Sequence, residues 1–332
     1  MNILVVGGAG YIGSFISWEL IRKGYHVTVF DNLSLGHRAA VGRDISFVEG
    51  DLADQSALDA LFRSKQFDGV MHFAAFSAVG ESMVDPLAYY GNNVANTINL
   101  LRVMKQYGVD RFIFSSSAAV FGNPREVPIT EEHPKDPINP YGEGKSMVER
   151  VMRDAAMAYN LRYVSLRYFN AAGASPDGSM GEDHRNETHL IPLALKAILG
   201  EEAGGGTLRI FGDDYDTPDG TCIRDYIHVL DLAEAHILAL EYLLAGGESD
   251  IFNLGNGKGF SVAEVVKTAG KVAGKPVPTI KADRRAGDPP TLVAGSDKII
   301  KKLGWNPVFP QLEAIVETAW KWHASHKKGY VA

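Results

Sequence analysis

Short β-branched runs alternate with longer stretches of helical apolar spacing from residue 1 to about residue 170. The strand candidates are Ile3–Val6, Val27–Phe30, Ile45–Val48, Val70–Phe73, Phe112–Phe114 and Tyr163–Leu166. Several are continuously apolar, the pattern of a strand covered on both faces. Between them, apolar residues recur at three- and four-residue spacing in Ile12–Arg22, Ala57–Ser64, Leu87–Gln106 and Tyr141–Tyr159, which predicts helices there. Such alternation is the signature of βαβ units around a parallel sheet.

After Asn170 a Gly/Pro/Asp-rich segment, Ala171–Asn186, interrupts the rhythm. Helical spacing resumes at His189–Leu199, Leu230–Leu244, Val262–Val272, Asp297–Leu303 and Leu312–His323. The pattern divides the chain into a first domain over residues 1–170, with returns near 223–255, and a smaller, interleaved C-terminal domain over 171–332. Its 332 residues carry 33 Lys and Arg against 40 Asp and Glu, a formal charge of −7, which leaves no basic face for nucleic acid. With 45% hydrophobic and 22% charged residues, the composition is that of a globular protein. Cys222 is the single cysteine, so no intrachain disulfide can form and a reducing, cytoplasmic setting is expected. The amino terminus lacks the basic region of a signal peptide, and no stretch reaches the ~18 apolar residues of a membrane helix, so no membrane association is expected.

The first strand runs into Gly7-Gly8-Ala9-Gly10-Tyr11-Ile12-Gly13, just before the first helical stretch. Glycines 7, 10 and 13 satisfy G-x-x-G-x-x-G, and glycines 8, 10 and 13 satisfy G-x-G-x-x-G, so spacing alone does not choose between the two forms. Either loop turns tightly and lets a pyrophosphate approach the backbone at the positive end of the next helix. Asp31 ends the second strand, 18 residues after Gly13, where a carboxylate accepts hydrogen bonds from an adenosine ribose and repels a 2′-phosphate. Strand, glycines, helix, strand and acid in that order predict a Rossmann-like, doubly wound α/β fold that binds NAD in preference to NADP.

Tyr141 and Lys145 form Tyr-x-x-x-Lys, an i, i+4 pair on one helix face. Alone this means little, because 13 tyrosines yield about one such spacing by chance. The signal sharpens because Ser115-Ser116-Ser117 ends the strand run before it, and ligands of open α/β sheets gather at the carboxyl ends of strands. A phenol titrates near ~10, but an ammonium and a nicotinium ring both favour its ionised form. With Ser117 sharing the proton, Tyr141 and Lys145 can deprotonate an alcohol while hydride leaves the same carbon. His184 and His189 have no third ligand at a recognisable spacing and no H-E-x-x-H occurs, so no metal is expected.

With these motifs the chain resembles the extended, nucleotide-sugar-modifying branch of the short-chain dehydrogenase/reductase superfamily, and within it the UDP-glucose 4-epimerase family. Matching segments span nearly the whole length and include Val6–Gly13, Asp31-Asn32-Leu33, His72–Ala75, Tyr141–Lys145, Leu166–Asn170, Arg224–His228 and Arg284–Asp288, the last two being the most specific. The resemblance implies reversible C4 epimerisation of UDP-glucose and UDP-galactose through a 4-keto intermediate on tightly bound NAD. It places Gly7, Gly10, Tyr11, Ile12, Gly13, Asp31, Asn32, Asp51, Leu52, Phe73, Ala74, Ala75, Asn92, Ser115, Tyr141, Lys145 and Tyr168 on the cofactor. On the UDP-sugar it places Ser117, Tyr141, Asn170, His189, Leu190, Phe211, Arg224, Arg285, Asp288 and Leu292. Guanidinium forks suit diphosphate oxygens. The resemblance also implies a homodimer in which Leu87–Tyr107 and Tyr141–Tyr159 pair across a two-fold axis.

Three positions depart from the family pattern: Ser77 where Lys is common, His189 where Asn is frequent, and Leu292 at a variable position near the sugar. There a Tyr accompanies rejection of 2-acetamido sugars, and a small residue their acceptance. A sugar-nucleotide dehydratase or decarboxylase, which needs a further acid/base pair, is a less favoured alternative because Ala118 and Ala119, which follow Ser117, cannot move a proton. UDP-pentose or UDP-N-acetylhexosamine 4-epimerisation, and a non-catalytic NAD sensor, stay as alternatives.

Overall fold

A computed structural model describes residues 1–200, 206–285 and 288–331. Six strands from the first half, β1 (Asn2–Val6), β2 (His26–Asp31), β3 (Ser46–Glu49), β4 (Gly69–His72), β5 (Arg111–Ser115) and β6 (Arg162–Tyr168), lie in one parallel sheet. The strand Asp250–Leu254 joins beside β6, giving the order 250–254, β6, β5, β4, β1, β2, β3. This is a Rossmann-like sheet with the chain reversing direction between β1 and β4, where such sheets bind ligands.

Both faces of the sheet are buried, and the alternation of side chains along β1 shows how. Ile3 and Val5 join Ile16, Leu20, Leu232 and Leu240 under the helices Tyr11–Arg22 and Val229–Leu244. Leu4 and Val6 join Leu58, Leu100, Val148 and Met152 under Gln55–Ser64, Asn96–Gln106 and Pro140–Tyr159. Helix entry follows local chemistry. Asp54 accepts hydrogen bonds from the backbone of Ser56 and Ala57, and Asn139 accepts one from Gly142 with Pro140 in the first turn.

The spacing predicts one helix over Leu87–Gln106; the structure divides that stretch. A helix Val79–Val84 precedes it, Asp85 caps a new start at Pro86–Tyr89, and Tyr90–Ala95 widens into a π-turn before Asn96–Gln106. The widening coincides with a tertiary clamp, since the Asn93 side chain accepts from the backbone N–H of Phe76 and donates to its carbonyl, both at 2.9 Å. Thr97 also donates to the Asn93 carbonyl at 2.7 Å. Such π-bulges are frequent at functional sites.

Beyond Asn170 the chain builds a second core from Ile191, Leu195, Tyr226, Val265, Ile315 and Val316, under the helices Leu190–Leu199, Val262–Ala273 and Leu312–Ser325. Among the described residues three small sheets accompany it, one of them pairing Ile223–Arg224 with both Phe260–Ser261 and Thr291–Leu292. Between visits to this region the chain returns to the central sheet as the helix Val229–Leu244 and the strand Asp250–Leu254.

Candidate functional site

The glycine loop lies between β1 and the helix Tyr11–Arg22, with Gly7 at φ +79°. A Cβ at Gly7 would stand 2.4 Å from the Ala74 nitrogen, so only glycine permits this approach of two strand ends. Asp31 is fixed beside the loop, its two carboxylate oxygens accepting from the backbone of Ala9 (2.9 Å) and Leu33 (2.8 Å). Burial raises its pKa, and these two N–H groups oppose the rise. Asn32 donates to Asp51 at 2.7 Å.

These groups border a cleft with about 610 Å³ of empty space, part of it open to solvent. Gly7, Gly10, Asp31, Asn32, Asp51, Leu52, Phe73, Ala74, Ala75 and Asn92 all line it. Leu35, Gly36 and Phe76 line it as well and were missed by sequence reasoning. A signal existed for Gly36, where any Cβ would meet the Ala9 backbone at 2.7 Å. Tyr11, Ile12 and Gly13 lie outside the lining: the Tyr11 hydroxyl donates to the Gly173 carbonyl at 2.6 Å, Ile12 packs on the sheet, and Gly13 abuts Gly7. The cleft suits a dinucleotide. A glycine-rich loop leads into a helix with no acidic residue in its first turn, and the carboxylates of Asp31 and Asp51 line the same cleft as acceptors suited to ribose hydroxyls.

Ser117, Tyr141 and Lys145 come together at the carboxyl end of β5. Ser117 is buried and caps the turn Ala118–Phe121, accepting from the Ala119 backbone at 3.1 Å. Tyr141 is half-buried in the first turn of Pro140–Tyr159. The next residue, Gly142, lets that helix press against the Ser117 turn, since a Cβ there would lie 2.4 Å from the Ala119 carbonyl oxygen. Lys145 is buried; its ammonium donates to the Ser115 carbonyl at 2.6 Å and sits 5.8 Å from the Tyr141 ring centre. Beneath it, the hydroxyls of Ser115 and Tyr168 are hydrogen-bonded to each other.

Within the protein alone, the expected lowering of the phenol by the ammonium is not what the site shows. Burial raises Tyr141, with the Ser117 hydroxyl opposing, and burial lowers Lys145 to about 7, with Glu149 opposing. Desolvation is thus the dominant influence on both groups, and a positive charge brought over the site would favour the phenolate.

In the second region, Arg224, Arg285, Asp288 and Phe211 converge. Arg224 donates to the carbonyls of Ile223 and Pro289 at 2.9 Å, and a guanidinium nitrogen lies 3.6 Å from Asp288. Arg285 donates to Asp288 at 2.8 Å and stands 5.0 Å above the Phe211 ring. Between these, Ala286 and Gly287 lie outside the described residues. Asn170 donates to the Asp225 carbonyl at 2.8 Å. Leu292 pairs in register with Arg224 and packs on the cluster of Val120, Phe121 and Ile129. Leu190 opens the helix Leu190–Leu199, and His189 precedes it. The two histidines that lacked further ligands by spacing do have carboxylate neighbours: Glu182, His184, Glu187 and His189 bring one ligand-capable atom each within 4.8 Å. Their segment has no regular period, which is why the pattern did not reveal it. Among the described residues no helix is long and apolar enough to cross a membrane.

A glycine-loop dinucleotide cleft facing a Ser/Tyr/Lys group defines a nicotinamide-dependent enzyme of the extended reductase type. Residues 3–255 match the model of the NAD dependent epimerase/dehydratase family, and the chain belongs to that family. It is 52% identical over 332 residues to a UDP-glucose 4-epimerase of Streptococcus mutans, covering 99% of both chains. The UDP-glucose 4-epimerase of Brucella ovis, solved in complex with NAD, superposes with a TM-score of 0.93 at 49% identity, over 96% of this chain and 97% of that one. That of Bifidobacterium longum, solved with NAD⁺ and UDP, gives 0.93 at 38% identity, over 99% and 100%.

Proposed function

We propose that this protein inverts C4 of a UDP-hexose, interconverting UDP-glucose and UDP-galactose through a 4-keto intermediate with NAD retained throughout. The observation that carries the reading is the meeting of Ser117, Tyr141 and Lys145 at the strand ends beside the glycine-loop cleft. When bound, NAD⁺ supplies a hydride acceptor that returns the hydride to C4, together with a positive charge over the site. Tyr141 removes the proton of the 4-hydroxyl as the C4–H bond breaks, and Ser117 shares that proton through its hydroxyl. Lys145, steadied by the Ser115 carbonyl, holds the nicotinamide ribose and favours the phenolate. On return the phenol gives its proton back to O4 and C4 is reduced on its opposite face, so no net oxidation results.

Inversion requires the sugar to turn while the nucleotide stays fixed. Arg224 and Arg285 hold the diphosphate, with Asp288, Phe211, Asn170, Leu190 and His189 around the nucleotide, and Leu292 borders the sugar. Asp31 and Asp51 take the adenosine end of the cofactor. In this reading residues 1–170, with the returns near 223–255, form the NAD domain, and 171–332 the UDP-sugar domain. The protein works in galactose metabolism in the cytoplasm, where a lone buried Cys222 stays reduced. It acts as a homodimer; Met83, Val84 and Leu87, exposed by 62%, 86% and 80%, together with Met147 supply an apolar face beside the helix Pro140–Tyr159. Purified protein mixed with UDP-galactose, without added NAD, should form UDP-glucose. Absence of turnover with and without added NAD removes the reading.

A further inference from the structure

Glu182, His184, Glu187 and His189 come from the irregular stretch that leads into the helix Leu190–Leu199. Nδ1 of His189 lies 2.9 Å from Oε1 of Glu182 and 2.8 Å from Oε1 of Glu187, and Nε2 of His184 lies 3.1 Å from the same Glu182 oxygen. The Glu182 and Glu187 side chains are only 4% and 1% exposed, whereas that of His189 is 41% exposed. Glu187 is further fixed by the backbone N–H groups of Thr188 and His189, each 2.8 Å from its Oε1. Among the described residues Nε2 of His189 makes no hydrogen bond.

The spacing selects protons over a metal ion. Ligand atoms held at ~2.1 Å around a tetrahedral metal stand about 3.4 Å apart. The contacts at Nδ1 are 2.8 and 2.9 Å, which are charge-assisted N–H to carboxylate distances. Two carboxylates withdrawn from water need compensating positive charge, and within the cluster the imidazoles are the groups that can supply it. Burial alone lowers the pKa of His189, yet Glu182 and Glu187 overturn that and hold it well above the ordinary histidine range. The other titratable groups around the cluster are Tyr11, Asp183, Lys196, His323 and Tyr330. His323 is pushed by burial down to about 4 and adds no charge near neutrality.

A histidine clamped through Nδ1 and kept charged carries a proton on Nε2 as well, so its exposed edge donates. A neutral ring with Nδ1–H presents a lone pair there, which repels phosphate oxygens. We propose that Glu182 and Glu187 are positioning residues that hold His189 as an imidazolium and present its Nε2–H to the diphosphate of the substrate. The inference rests on the placement of His189 at the UDP moiety. The two carboxylates turn an ambivalent ring into an obligate donor.

The test is steady-state epimerisation of UDP-galactose by the NAD-loaded protein from about pH 6 to 9, comparing Glu182→Gln and Glu187→Gln with the unsubstituted protein. In each variant KM at about pH 8 should rise by about tenfold or more while kcat holds within about threefold, as expected for one charge-assisted hydrogen bond made equally to ground and transition states. It should recover towards the unsubstituted value as the pH falls to about 6, where an unassisted histidine regains its proton. A KM insensitive to pH in both variants, or a loss confined to kcat, overturns the proposal. If neither variant folds, the calorimetric affinity of the unsubstituted protein for UDP carries the test: it should hold through about pH 8, and a loss with a midpoint near ~6.5 overturns the clamp. One equivalent of zinc in the purified protein, removable by chelator with matching loss of UDP affinity, also overturns it. UDP binding with the expected pH profile but no epimerisation upholds the clamp and removes the reaction instead.

Discussion

Lys145 and Glu149 lie one turn apart on the same helix and both are buried, yet they form no ion pair. The lysine donates to the Ser115 carbonyl at 2.6 Å. The glutamate is engaged elsewhere, accepting from Arg167 at 2.9 and 2.7 Å and from the hydroxyls of Ser116 and Ser165 at 2.8 and 3.0 Å. Glu149 therefore acts on Lys145 as a fixed nearby charge that keeps the buried amine from losing its proton more readily still. It also ties the helix carrying Tyr141 to the sheet at β5 and β6.

Removing that charge should be expensive for the fold. Glu149→Gln leaves Arg167, itself 3% exposed, without its counter-ion and should destabilise the protein by about 3–5 kcal/mol in denaturant unfolding. Burial raises the Glu149 pKa, but Arg167 and its partners hold it below the ordinary carboxylate range. Its stabilising contribution is thus present above the unfolded-state value and is lost as the pH falls through the folded-state one. The variant should show a shallower loss of stability in acid. A change of less than about 1 kcal/mol would mean that the pair merely offsets its own desolvation.

Tyr141→Phe should lower kcat by at least about 10²-fold, the lower range for removing a positioned general base. Affinity for UDP should stay within about threefold, because in the proposed reading the nucleotide is held by Arg224 and Arg285 and not by the phenol. A near-normal rate in the variant would reassign the base.

Asp31→Ala should weaken NAD retention and narrow the preference over NADP. The cause is local: the carboxylate is oriented by the Ala9 and Leu33 backbone in the lining of the cleft, and a carboxylate there would accept ribose hydroxyls and repel a 2′-phosphate. Cofactor extracted from the purified protein and identified chromatographically decides the matter, and NADP in the unsubstituted protein would overturn the assignment.

What could be read from sequence and what could not divide along physical lines. The strands and glycine loop were legible because a strand buried on both faces, as in Ile3–Val6, has no polar position, and because Gly7 and Gly13 answer close backbone approaches within a few residues. The Tyr141/Lys145 face was legible because helical spacing alone aligns it. The break in Leu87–Gln106 was not, since it coincides with Asn93 reaching back to Phe76 across 17 residues. Nor was the partnership of Glu149 with Arg167, 18 residues apart on different elements, or that of His189 with Glu182 in a segment lacking any period. Local chemistry leaves a trace in spacing, whereas tertiary pairing of polar groups does not.

Leu292 bears on which sugars are accepted. It is half-buried, paired in register with Arg224, and packed on Val120, Phe121 and Ile129, the cluster formed by the turn that Ser117 caps. It therefore links the strand of Arg224 to the turn that Ser117 caps, between which the proposed function places the sugar. Leucine is shorter than tyrosine and has no hydroxyl seeking a partner, so a 2-acetamido group fits with modest repacking. Steric discrimination of this kind is worth about 1–3 kcal/mol, so UDP-N-acetylglucosamine should be epimerised more slowly than UDP-glucose by no more than about 10–200-fold. Leu292→Tyr should suppress the acetamido activity selectively and leave UDP-glucose turnover within about threefold. Competing the two substrates in one reaction measures the ratio of kcat/KM directly. An unchanged ratio in the tyrosine variant, or no acetamido turnover in the unsubstituted protein, would show that the gate lies at another residue of the sugar wall.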